Sequence, residues 1–252
     1  MINQKIQIVN SVRRFKLIVC DIMLREACHC IARSRNIIDP VFMGKGLHNL
    51  GSCKMCRLLQ EELEKVEKDK YEAILLGYGL CNNGILGLHA SIPLVVPRAH
   101  DCITLLLGSK KEYREYFDRN PGTYYLSPGW IERDVSDYNG EVSVTQQLGM
   151  KSYEDYVAEY GEENARYIME TMGGGLQHYT KLAYIDTGIA EFADYERQAQ
   201  ERAAQNGWVY EKLKGNCGLL QRLVDGDWNS REFAVINPDQ AVKPANNEEI
   251  IK

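Results

Sequence analysis

The chain is expected to adopt an α/β fold: two Rossmann-like strand–helix–strand–helix–strand units of mainly parallel sheet, facing across a cleft or joined in one doubly wound sheet. Three observations lead there. Short runs that are apolar throughout, at 15–20 (FKLIVC), 73–76 (AILL) and 94–96 (LVV), fit strands buried on both faces. Stretches with helical apolar spacing lie between them. The same order of elements returns in the second half, without any repeat of sequence.

The elements follow in chain order. Ile6, Ile8 and Val9 suit a short edge strand before Arg13 and Arg14 mark a surface. After the strand at 15–20, Met23, Leu24, Cys28, Ile31 and Ala32 recur at helical spacing. Residues 35–50 read as loop, with Asp39-Pro40, Gly44 and Gly46 as breakers. Met55, Leu58, Leu59, Leu63 and Val66 form the apolar stripe of a charged amphipathic helix over 55–70. Strands at 73–76 and 94–96 follow, then helices from Ile103 and over 110–118. Residues 120–140 read as a turn-rich but packed bridge, since Pro121-Gly122 and Pro128-Gly129 sit among Tyr124, Tyr125 and Trp130. Residues 143–172 read as helical and 173–175 (GGG) as an interruption. Strands are then expected at 182–185, 208–213 and 233–236, with helices over 189–205 and 219–224 between them. Asn206-Gly207 is a good helix stop.

Length and composition bound the function. The 252 residues suffice for one large or two small domains. The expected division is 1–135, a first half carrying a Cys/His site, and 136–252, a helical connection and the second half. A net charge of −5 argues against a nucleic-acid partner. No apolar run approaches the ~20 residues of a membrane span. The N-terminus lacks the apolar core and cleavage site of a signal peptide. A cytoplasmic protein that makes no use of a membrane is expected. In that compartment the eight cysteines, Cys20, Cys28, Cys30, Cys53, Cys56, Cys81, Cys102 and Cys217, point to metal or catalysis where they group with histidine, rather than to disulfides. The plainer alternative is that several are small buried apolar residues.

The chemistry gathers at strand ends, where ligands of open α/β sheets bind. Cys20 ends one strand, Cys81 follows the next by a short loop, and His100, Asp101 and Cys102 follow the third. If these strands are parallel neighbours, ~4.8 Å apart, the side chains converge. Thiolate and imidazole ligands suit zinc. Asp101 or Glu26 would orient His100 through its second nitrogen; alternatively Asp101 is simply the N-cap of the helix that begins beside it. Gly77 and Gly79 allow a close approach of backbone to ligand, but their spacing departs from a dinucleotide loop. Arg98 is placed to hold an anionic group or to pair with Asp101. A second group, Cys28, Cys30, Cys53 and Cys56, has metal or redox spacing in part. Cys28 and Cys30 lie two apart on a helix and face different ways, which speaks against one four-cysteine site.

The stretches LGYGLCNNG (76–84), PRAHDCITLLLGS (97–109) and PGTYYLSPGWIE (121–132) resemble a domain-of-unknown-function family of bacterial and methanogen proteins. That family shares LGYGLC, PRxHDC and YY…GW segments. Its genes are often neighbours of corrinoid-dependent methyltransferases and corrinoid proteins, so the resemblance implies an auxiliary role in one-carbon metabolism. Cys20, Cys81, His100 and Cys102 match the family pattern; Cys28, Cys30, Cys53, Cys56 and Cys217 are particular to this chain. The expectation is a metal-binding protein, with zinc on Cys81, His100 and Cys102, with or without Cys20. It would act in or support corrinoid-linked methyl transfer, with a small-molecule substrate and a corrinoid protein or methyltransferase as partner. The alternatives are an iron–sulfur or dithiol redox protein, or a non-catalytic module that binds a tetrapyrrole (a corrinoid ligand) or a protein partner.

Overall fold

The computed structural model describes residues 11–133, 157, 161–162, 178–191, 194–238, 240–245 and 249–252. The strand expected at 6–9, the helix at 143–172 and the glycines at 173–175 fall wholly or almost wholly outside these.

The fold is α/β, with a mainly parallel sheet of five strands and a second, parallel sheet of three. In the first sheet β1 (Arg14–Cys20) lies between β2 (Ile37–Met43) and β3 (Ala73–Gly77), and β4 (Leu94–Pro97) follows β3, all parallel. β1 is buried from Leu17 onward, and β3 and β4 throughout, which is why they read as unbroken apolar runs. The strand order reverses direction at β1, which places a switch point between β1 and β3. Helices α1 (Leu24–Arg33) and α2 (Ser52–Glu64) belong to the crossovers. α2 buries Met55, Leu59 and Leu63, one stripe at i, i+4, i+8.

β2 corrects the loop expected at 35–50. Asp39-Pro40 looked like a breaker, but β2 is the edge strand, and an edge strand tolerates a residue with no N–H to donate. The bridge expected at 120–140 is corrected too. After α3 (Cys102–Leu107) and α4 (Lys110–Arg119), residues Thr123–Leu126 form β5. This four-residue strand is the first of the second sheet, which continues with β6 (Lys181–Asp186) and β7 (Val209–Lys214). Helix α6 (Tyr195–Gln205) lays Ala199 and Ala203 on the second sheet, in a small core with Leu126, Leu182 and Tyr184.

The halves also exchange chain. After β7, helix α7 (Gly218–Asp225) packs back against α1, and β8 (Phe233–Ile236) pairs antiparallel with β4. The last strand therefore belongs to the first sheet, and β5 to the second, so sheet membership crosses a division at 135/136 in both directions. Among the described residues no helix is long and apolar enough to cross a membrane.

Candidate functional site

The carboxyl ends of β1, β3 and β4, three adjacent strands, form one floor. The loops after β3 and β4 are zipped together by backbone: Leu80 N–H donates to the Ala99 carbonyl at 2.8 Å and Cys81 N–H to the His100 carbonyl at 2.9 Å. Gly79 makes this possible, because a Cβ there would stand 2.6 Å from the Asp101 backbone nitrogen. The chain then turns through Cys81, Asn82 and Asn83 with φ of 46°, 53° and 66°. Asparagine tolerates this left-handed region, but for Cys81 it is strained backbone of the kind found where a side chain must be aimed. A 3.0 Å bond from Gly84 N–H to the Cys81 carbonyl closes the turn.

Cys20, Cys81 and Cys102 are each buried, 1%, 7% and 6% exposed. Burial holds each thiol in its neutral form: Cys20 is pushed up to about 12, and Cys81 and Cys102 are also well above the ordinary thiol range. Cys81 also feels Cys20 and Asp101, and Cys102 feels Asp101, Cys81 and Cys20, so charge on one group makes ionising the next harder. Groups that favour the thiolate nevertheless lie nearby: the Ile22 N–H near Cys20, the N–H groups of Gly79 and Cys102 near Cys81, and the Trp130 indole near Cys102. Among the described residues no three His, Cys, Asp or Glu side chains stand in an arrangement that holds a metal ion as they are.

The second sheet supplies the wall. Ser127 caps α5 (Pro128–Glu132), and this helix presses on the short 3-10 turn Asp21–Met23 that follows Cys20. Gly129 is required there, since a Cβ would fall onto the Ile22 carbonyl. Trp130 lies under the Lys45 ammonium, 5.1 Å from ring centre to nitrogen. Asp21 accepts from the Lys45 N–H at 2.8 Å and faces Arg133 at 3.6 Å. Arg25 clamps Glu132 at 2.5 Å. Tyr113 on α4 donates to Asp101 at 2.8 Å and meets Tyr125 edge-on. The YY…GW stretch thus joins the second sheet to the thiols of the first.

The residues singled out in the sequence separate into groups. Cys20, Cys81 and Cys102 are all buried at the carboxyl ends of adjacent strands, near enough to influence one another's ionisation. His100 neighbours them in the chain, but its side chain is exposed. Asp101 is the N-cap of α3: one oxygen accepts from the Thr104 N–H at 3.2 Å, the other from Tyr113. Arg98 ties down the C-terminal segment through the carbonyls of Ser230, Phe233, Glu249 and Ile251. Gly77 lies against Val19 across the β1–β3 pairing. Glu26 lies on α1 and is buried, with one oxygen accepting from Thr187 after β6 at 2.8 Å. Cys28 and Cys53 are exposed, and Cys56 donates to the Leu86 carbonyl at 3.2 Å. Sequence reasoning missed Lys45, because it missed the strand that ends before it, and Tyr113, a single aromatic on a charged helix. Tyr78 and Trp130 stood inside the recognised motifs without an assigned role.

Comparison with known proteins adds one finding. No curated protein and no solved structure matches the chain. A family model, described as Protein of unknown function (DUF1638), matches residues 42–224. The match spans Cys81, Cys102, Tyr124-Tyr125 and Trp130 and begins after Cys20. Covering well over half of the 252 residues, it places the sequence: the chain belongs to the DUF1638 family.

Proposed function

We propose that the chain is a metal-binding protein, with zinc held by the thiolates of Cys20, Cys81 and Cys102, and that it acts in or supports corrinoid-linked methyl transfer. One observation carries the metal reading. Three buried thiols, at the end of β1, in the turn after β3 and at the start of α3, lie at the carboxyl ends of three adjacent strands, one of them on strained left-handed backbone. Buried thiols with raised pKa values are inert as nucleophiles; a thiophilic cation replaces their protons and turns the same burial to use. The three side chains would turn about their χ1 bonds to close on the ion. The nearby groups that favour the thiolates would temper their charge, and the buried Lys45 beside Cys20 would offset it further.

Three protein ligands leave a fourth position open, as in catalytic rather than structural zinc sites. Zinc held by these residues would supply Lewis acidity, which lowers the pKa of a substrate thiol and favours its alkylation. The methyl-transfer part of the proposal rests on the resemblance of the LGYGLC, PRxHDC and YY…GW stretches. His100, exposed on the rim, stands outside the ligand set in this reading. The test is anaerobic purification followed by elemental analysis. About one equivalent of zinc in the wild type, lost in Cys81→Ser and retained in His100→Ala, is the expected result. Less than about a tenth of an equivalent of any transition metal after reconstitution, unchanged in Cys81→Ser, sinks it. A brown, iron-containing product that bleaches on reduction replaces zinc with an iron–sulfur cluster.

A further inference from the structure

A second thiol group lies outside this site. Cys30 is on the buried face of α1, and Cys217 is half-buried as the N-cap residue of α7, the helix that packs on α1. The Cys30 sulfur donates to the Cys217 carbonyl oxygen at 3.8 Å, and the two thiols shift each other's ionisation in opposite directions. One turn before Cys30 on the same helix is Glu26, 2% exposed. Its Oε1 is held by Thr187, but its Oε2 is buried with no hydrogen-bond partner. Both thiols feel this carboxyl. An unsatisfied carboxylate oxygen in a buried site is costly and calls for a reason.

We propose that Cys217 and Cys30 are a thiol–disulfide exchange pair, Cys217 attacking and Cys30 resolving, with Glu26 taking the proton from Cys30. The partner class is a low-molecular-weight disulfide. The Cys217 thiolate attacks one sulfur of the disulfide, forming a mixed disulfide and releasing one thiolate. The Cys30 sulfur then attacks the Cys217 sulfur as its proton passes to Glu26. The Cys30–Cys217 bond forms, and the second small thiolate leaves. The balance is two protein thiols and one small disulfide giving one protein disulfide and two small thiols. The order of roles follows from the environment. Cys217 is half-exposed, and its pKa is lowered by the neighbouring Cys30 and by Arg33. Cys30 is fully buried, and its thiol is pushed up by the neighbouring Cys217 and by burial.

The test adds glutathione disulfide to the reduced full-length protein, traps free thiols with N-ethylmaleimide over a time course, and maps peptides by mass spectrometry. A Cys30–Cys217 linkage should form, preceded by a glutathione adduct on Cys217 that appears before adducts on the more exposed Cys28 and Cys53. In Cys30→Ser that adduct should persist; in Glu26→Gln its conversion should slow severalfold. Adducts on Cys28 and Cys53 with Cys30 and Cys217 both still alkylated by maleimide would overturn the proposal, and the wild-type map decides this even if a variant fails to fold. A persistent wild-type Cys217 adduct with no linkage would overturn it equally.

Discussion

Two groups of thiols in this protein are buried to opposite effect. Cys20, Cys81 and Cys102 sit on strand ends among other thiols and carboxyls, and all three pKa values rise. Cys30 and Cys217 sit where two helices meet, and the pair splits: Cys30 rises and Cys217 falls. The difference lies in what accompanies the sulfur. Burial alone silences a thiol. Burial beside a second thiol and a guanidinium selects one thiol of a pair to react. The metal proposal for the first group and the exchange proposal for the second rest on that difference.

The comparison can be broken by disturbing one group alone. The largest effect is expected at the wall of the strand-end site. Gly129→Ala drives a Cβ into the Ile22 carbonyl, backbone against backbone. It should cost about 3 kcal/mol or more in urea unfolding. Gly79→Ala, with a Cβ 2.6 Å from the Asp101 nitrogen, should cost about 1–3 kcal/mol and weaken metal uptake. Glutathione exchange at Cys217 should persist in both variants if the groups are independent.

Asp101→Ala removes the cap of α3 and the acceptor of Tyr113 together. A loss of about 1–2 kcal/mol is expected, with Tyr113→Phe accounting for about 1 kcal/mol of it in a double-mutant cycle. Next comes pH. The folded metal-free protein holds the Cys20 proton more tightly than the unfolded chain does. The stability this contributes is therefore present below the ordinary thiol value of 9.0 and is lost as pH rises from there through about 12. Urea midpoints should fall across that window, less steeply in Cys20→Ala. A rise across it would contradict the silenced-thiol description. The smallest effects belong to the exposed side chains: Cys28→Ser, Cys53→Ser and His100→Ala should each shift stability by less than about 0.5 kcal/mol.

Much of the first sheet was legible because its inner strands are buried on both faces, so AILL and LVV announce themselves without context. β2 and β5 were not, for local reasons. Pro40 is a breaker everywhere except on an edge, and edge position is a tertiary fact. β5 has only four residues, wedged between Gly122 and Pro128. The return of β8 to pair antiparallel with β4 is likewise invisible in FAVI, which reads the same in either sheet. At the site, the strand-end cysteines were visible because the apolar runs that deliver them are. Lys45 was hidden with β2. The meeting of Cys30 with Cys217, 187 residues apart, was beyond any spacing rule. Asp101 was read both as an active-site residue and as a cap, and its geometry is that of a cap.

The most direct test of the central claim is a zinc titration of the anaerobically reduced protein at neutral pH with proton release followed in parallel. If Cys20, Cys81 and Cys102 are the ligands, each enters protonated and leaves as thiolate, so about three protons should appear per zinc bound, falling to about two in each single Cys→Ser variant that still binds. Zinc uptake with no proton release, or release undiminished when Cys20, Cys81 or Cys102 is replaced, would contradict it.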